Sequence, residues 1–293
     1  MPSPSPDEIT VTARGVEFRC LSLGTGPLAL CLHGFPDSPR SWMPLMSRLA
    51  SAGFRAVAPY MRGYAPTSVP PDGCYQTAAL SADAVALHDV LSGDADAVII
   101  GHDWGAPATY GAALLAPERW CRVVGMAVPP GGAMGMAFVT NLVQLKRSWY
   151  MFFFQHPLAD LVVGANDLAY IDMLWNDWSP GFNGADALAA TKDALRAPEN
   201  LAAALGYYRA TLGDGKKDPD LAELQARMGS EVPTHPLLYL HGVNDGCIGR
   251  EVAEFAASTA PSNVKVRFIE SAGHFMQIEQ PDVVADHVIE WIS

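Results

Sequence analysis

In the pattern of apolar and polar positions, Ile9–Ala13 and Val16–Leu23 read as two strands around Arg14-Gly15. Leu28–Leu32 and Ala97–Ile100 are short unbroken apolar runs, too short for free-standing helices and suited to strands buried on both faces, and Phe54–Ala58, Cys121–Val128, Pro236–His241 and Val264–Ile269 read as further strands. Between them the spacing changes. Trp42, Leu45, Met46 and Leu49 predict a helix over 41–52 that stops at Gly53, and helices are predicted over 80–91, 104–115 and 282–291. Strands alternating with helices imply an α/β fold with a mostly parallel central sheet, flanking helices and right-handed crossovers.

After Pro129-Pro130-Gly131-Gly132 the rhythm becomes helical and rich in aromatic residues, Ala and Leu. Leu201, Leu205, Tyr208 and Leu212, for example, fall on one helical face. Strand patterning returns only at Pro236. The economical division is a core formed by 1–129 and 233–293, with a helical lid, or cap, of residues 130–232 inserted between. Such a lid covers the carboxyl edge of the sheet, where open α/β sheets carry their sites. Residues 1–8 are Pro/Ser-rich and are expected to form a flexible lead.

Composition narrows the class of function. Hydrophobic residues make up 49% of the 293 positions and charged residues 17%, enough for a large core. A net charge of −12 with no Lys/Arg run argues against nucleic acid or an anionic membrane as partner. No signal peptide or membrane-length apolar stretch is visible. Cys20, Cys31, Cys74, Cys121 and Cys247 are odd in number, lack Cys-x-x-Cys spacing, and read as buried reduced thiols of a cytoplasmic protein. No His/Cys cluster at metal-ligand spacing occurs, so neither metal nor cofactor is expected. The chain could act as a monomer or a homodimer.

The most informative stretch is Ala97-Val98-Ile99-Ile100-Gly101-His102-Asp103-Trp104-Gly105-Ala106. A buried strand, a sharp Gly-flanked turn and a helix form the nucleophile elbow of α/β hydrolases, which lifts its central residue above the sheet. That residue here is Asp103. Taken alone, an Asp before a helix is usually a cap. On an elbow it is an ionised carboxylate able to displace a leaving group at an alkyl carbon and form an ester, which water must then hydrolyse.

Hydrolysis needs a base and stabilisation of an oxyanion. In the chain order of this fold, nucleophile then acid then histidine, Asp245 follows the strand ending at His241, and His274 follows the strand ending at Ile269. Asp245 would orient His274, and His274 would activate water. His33-Gly34-Phe35-Pro36 follows the strand Leu28–Leu32, so the backbone N–H groups of Phe35 and Trp104 are the candidate oxyanion hole.

Over nearly its whole length the chain resembles the α/β-hydrolase-fold epoxide hydrolases. The resemblance rests on His33-Gly34-Phe35-Pro36, Arg62-Gly63-Tyr64, Gly101-His102-Asp103-Trp104-Gly105, Asp245 and Gly273-His274-Phe275. Two lid segments add to it: Tyr150 followed by Phe154-Gln155-His156-Pro157, and Tyr207-Tyr208-Arg209. The resemblance implies that Tyr150 and Tyr208 hold the epoxide oxygen and donate a proton to it, the substrates being a small apolar alkyl or aryl epoxide and water. Two departures stand out: Ala65-Pro66-Thr67-Ser68 replaces the usual Gly-x-Ser after Arg-Gly-Tyr, and Ala106 stands where a third glycine is frequent.

Two other readings compete. A haloalkane dehalogenase would share the Asp nucleophile, but Phe35 offers no side-chain N–H for a halide and the lid tyrosines would lack a purpose. A non-catalytic receptor on a hydrolase fold would not require the full set of nucleophile, base, acid and proton donors.

Overall fold

A pair of antiparallel strands opens the computed structural model, which describes residues 5–293: β1 (Asp7–Ala13) and β2 (Val16–Leu23). Arg14 and Gly15 between them both take positive φ, +49° and +74°, as a two-residue hairpin turn requires. The expected flexible lead is therefore corrected at its end. Asp7 and Glu8 pair with Ser22 and Leu21, while residues 1–4 lie outside the described residues.

The remaining strands are β3 (Leu28–Leu32), β4 (Arg55–Pro59), β5 (Val98–His102), β6 (Arg122–Met126), β7 (Leu237–Gly242) and β8 (Val264–Ile269). They form one sheet in the order β1-β2-β4-β3-β5-β6-β7-β8, antiparallel at β1/β2 and β2/β4 and parallel elsewhere. β3, β5 and β7 are buried at every position, because helices cover both faces of the sheet.

The core helices are α1 (Met43–Ser51), α2 (Thr77–Val90) and α3 (Gly105–Leu115), with α12 (Arg250–Thr259), α13 (Met276–Glu279) and α14 (Pro281–Ile292) near the C-terminus. Sequence patterning places no helix between Asp245 and Val264. α12 is short, and only Val252, Ala253 and Ala256 of it are buried. Between β6 and β7 lie eight helices: α4 (Ala133–Thr140), α5 (Leu142–Arg147), α6 (Trp149–Phe153), α7 (Ala159–Gly164), α8 (Ala169–Trp178), α9 (Ala185–Leu195), α10 (Pro198–Leu212) and α11 (Ala222–Met228). No helix among the described residues is long and apolar enough to cross a membrane.

Polar contacts tie these inserted helices to the sheet. Tyr207 Oη donates to Arg62 O at 2.8 Å, and Asn200 Nδ2 donates to Gly63 O at 2.7 Å. Arg62 is itself fully buried and held by Asp83, with Nη2 2.9 Å from Oδ1. Burial disfavours that cation, but Asp83 and Asp72 overcome the penalty and keep it charged. The variant loop is used structurally as well: Thr67 Oγ1 accepts from Arg19 N at 3.0 Å and donates to Tyr60 O at 2.8 Å, fixing it against β2. The thiols are all free. Four are buried, while Cys121, expected to be buried, is half-exposed where β6 begins beyond it.

Candidate active site

Asp103 stands at the turn between β5 and α3 with φ of +50°, a left-handed conformation that few non-glycine residues adopt. Its small neighbours make the turn possible. A Cβ at Gly101 would collide with Gly105 O, and one at Gly105 with Leu32 O. Gly34 has the same function on the facing loop, since a Cβ there would strike Asp103 Oδ1 and the backbone nitrogen of Trp104. Close approach of that loop lets Phe35 N donate to Asp103 Oδ1 at 2.7 Å. Trp104 N, the other expected donor, lies beside the same cradle but makes no hydrogen bond to the carboxylate among the described residues.

The loop is held from below. His33 Nδ1 lies 2.9 Å from Gly34 O, and its Nε2 accepts from Met61 N at 3.0 Å, so the proton belongs on Nδ1. Burial lowers the pKa of this imidazole, keeping it neutral as that pairing needs.

His274 lies between two carboxylates. Nδ1 is 3.0 Å from Asp245 Oδ2, and Nε2 is 3.6 Å from Asp103 Oδ2 with no hydrogen-bond partner. All three residues are buried. Burial alone would lower the His274 pKa, but Asp245 and Asp103 together raise it to about 10. Burial pulls Asp245 upward, and the facing His274 outweighs it, so its carboxyl sits below the ordinary range. Asp245 is fixed further by Cys247 N at 2.7 Å and Ile248 N at 3.0 Å, both donating to Oδ1.

Several positioning residues escaped sequence reasoning. At the end of α8, Trp178 O accepts from both Gly246 N at 3.0 Å and His274 N at 3.1 Å. Ser179 Oγ accepts from His274 N at 3.0 Å and donates to Glu279 Oε1 at 2.7 Å. The inserted helices thus pin both loops that carry Asp245 and His274. His102 Nε2 lies 2.8 Å from His274 O, a third hold on the same residue. Groups at a helix end carry no distinctive sequence signal when their partners lie 68 or more positions away.

Tyr150 and Tyr208 meet from different helices, α6 and α10, with ring centroids 5.7 Å apart. Gln155 joins the two helices: its Nε2 donates to Met151 O at 2.8 Å and to Tyr208 O at 3.2 Å. Tyr208 Oη has no partner, whereas Tyr150 Oη lies 3.3 Å from Cys247 Sγ. Burial pushes both phenols well above their ordinary pKa, so both keep their protons. Both line a mostly apolar cavity of about 340 Å³ that also contains Asp103 and Trp104. Its apolar wall comes from Val128, Met134, Phe138, Met151, Met228 and Ile248. Other aromatic residues of the inserted helices stand outside this wall. Trp149 and Phe152 are nearly half exposed, and Trp175 stacks on Phe275 while its Nε1 donates to Pro36 O at 2.8 Å.

A family model of the alpha/beta hydrolase fold matches residues 27–281. The chain belongs to the α/β-hydrolase-fold family. Over 123 residues this α/β hydrolase is 41% identical to an epoxide hydrolase of Caballeronia sordidicola, a match spanning 42% of the chain and only 37% of that protein. It is 26% identical over 329 aligned residues to epoxide hydrolase A of Mycobacterium tuberculosis, covering 99% of the chain and 98% of the relative. Its fold is similar to that of a Bacillus megaterium epoxide hydrolase solved with an inhibitor, at a TM-score of 0.82 and 25% identity over 97% of this chain and 99% of that one. It is an epoxide-hydrolase-like α/β hydrolase.

Proposed function

We propose that this hydrolase converts a small apolar epoxide, alkyl or aryl, and water into the vicinal diol through an ester on Asp103. One observation carries the reading: Asp103 shares an apolar cavity with two buried, protonated phenols from the inserted helices. Ring opening is an in-line displacement, so nucleophile and proton donor must approach from opposite sides.

In the first step Asp103 Oδ2 attacks a ring carbon and the carbon–oxygen bond breaks. The departing oxygen takes a proton from Tyr150 or Tyr208. Ester formation removes the charge of Asp103, one of the two anions that raise the His274 pKa. His274 then loses its proton, which passes through water to the tyrosinate and regenerates the phenol, and its Nε2 becomes a base. In the second step this base takes a proton from water as the water attacks the ester carbonyl. Phe35 N, already bonded to Oδ1, and Trp104 N stabilise the resulting oxyanion. Collapse expels the substrate oxygen, which takes the remaining water-derived proton from the Asp103 carboxyl, so the diol leaves and the Asp103 carboxylate is regenerated.

A departing halide is served less well. Phe35 has no side-chain N–H to offer it, and Trp104 is the one tryptophan among the residues lining the cavity. Free thiols, four of them buried, support a reducing compartment, and we assign the enzyme to the cytoplasm. Incubation with styrene oxide, a chloroalkane and p-nitrophenyl acetate tests the assignment. Diol should form from the first without matching release of chloride or phenolate; chloride release at a comparable rate would establish the dehalogenase instead.

A further inference from the structure

Cys247 has no part in the chemistry above, yet its sulfur points into the same space. Asp103, Cys247 and His274 each offer one ligand atom, and these atoms lie within 4.8 Å of one another. His274 Nε2 and Asp103 Oδ2 are 3.6 Å apart. With metal–sulfur bonds of about 2.3 Å and metal–nitrogen bonds of about 2.0 Å, donors in a tetrahedral zinc site stand roughly 3.5 Å apart. Small side-chain rotations therefore close the set around one ion.

We propose that these three side chains form a reversible inhibitory site for a thiophilic divalent cation such as zinc or cadmium. The inference uses the residues of the proposed reaction but not the reaction itself. Three features support it beyond proximity. His274 Nε2 is fully buried, faces the set and has no hydrogen-bond partner. Its Nδ1 is held by Asp245 Oδ2, the carboxylate–histidine arrangement that orients imidazole ligands and makes them more basic. Tyr150 Oη, 3.3 Å from Cys247 Sγ, can donate to a metal-bound thiolate. Sulfur, nitrogen and one carboxylate oxygen suit zinc or cadmium and not magnesium or calcium. A fourth position opens into the cavity, where water can complete the tetrahedron.

The ion would enter as thiol and imidazole release their protons to solvent. Both the nucleophile and the base are then tied up, so the enzyme is blocked while metal remains and recovers when a chelator removes it. Sequence spacing hides this site because its ligands come from three separate strand ends, after β5, β7 and β8.

Cadmium is the direct probe, because a cadmium–thiolate bond has its own ultraviolet charge-transfer absorption. Titration of the metal-free full-length protein, without substrate, should develop this band to one equivalent, and zinc should compete it away. Cys247→Ser should abolish the band, whereas Cys121→Ser, altering the one half-exposed thiol, should retain it. His274→Gln should weaken cadmium binding at least tenfold while the thermal transition remains cooperative. Absence of the band from the parent protein, its persistence in Cys247→Ser, or unchanged affinity in His274→Gln would overturn the proposal. Epoxide turnover without cadmium binding rejects only this site; cadmium binding without turnover rejects only the reaction.

Discussion

His274 Nε2 lies 3.6 Å from Asp103 Oδ2, so the oxygen proposed as nucleophile and the nitrogen proposed as base face one another. A carboxylate has no proton for that base to remove, so the separation has meaning only for the second step. His274→Gln should therefore still be alkylated but should not release product. Intact-protein mass spectrometry after mixing with epoxide should show an adduct of one substrate mass, lost when Asp103→Asn is added. A folded His274→Gln protein that binds substrate without forming the adduct would contradict this division of labour.

The two phenols should share the first step. Tyr150→Phe and Tyr208→Phe should each slow alkylation by roughly 10²-fold, the scale of general acid catalysis, and the double variant should be close to inactive. Tyr207 is the control, since its Oη is spent on Arg62 O. Tyr207→Phe should cost roughly 1 kcal/mol of stability through the lost buried hydrogen bond while leaving alkylation nearly unchanged. Stopped-flow quenching of tryptophan fluorescence, with Trp104 in the cavity, would report all the rates.

Stability should depend on pH through His274. Its folded pKa, about 10, lies above the ordinary 6.5, so its contribution is full below about 6.5 and is lost as pH rises through about 10. Asp245 acts in the opposite sense: its depressed pKa contributes stability at neutral pH that disappears on acidification. Thermal unfolding of the parent should thus weaken with rising alkaline pH more steeply than that of His274→Gln. Parallel profiles for the two proteins would show that His274 is not held charged in the resting enzyme.

The elbow was legible because its constraints are local: a run of apolar residues, then Gly101 and Gly105 about Asp103, where any Cβ would strike backbone. Buried strands likewise announced themselves, and their boundaries moved by only a residue or two. What could not be read was anything decided by which face of the inserted helices turns inward. Trp149 and Phe152, the conspicuous aromatics, turn outward, while Met134 and Phe138 supply the cavity wall. Trp178 and Ser179 act through a backbone carbonyl and a hydroxyl on distant loops, which one-dimensional spacing cannot express.

The covalent ester on Asp103 is the central claim, and a single turnover in ¹⁸O-water tests it most directly. Enzyme in excess over epoxide should release a first diol that is largely unlabelled, because its new oxygen comes from the Asp103 carboxylate. Peptide mass spectrometry should then find ¹⁸O in the peptide containing Asp103. Label appearing in that first diol, with Asp103 unlabelled, would mean that water attacks the epoxide itself and that no ester forms.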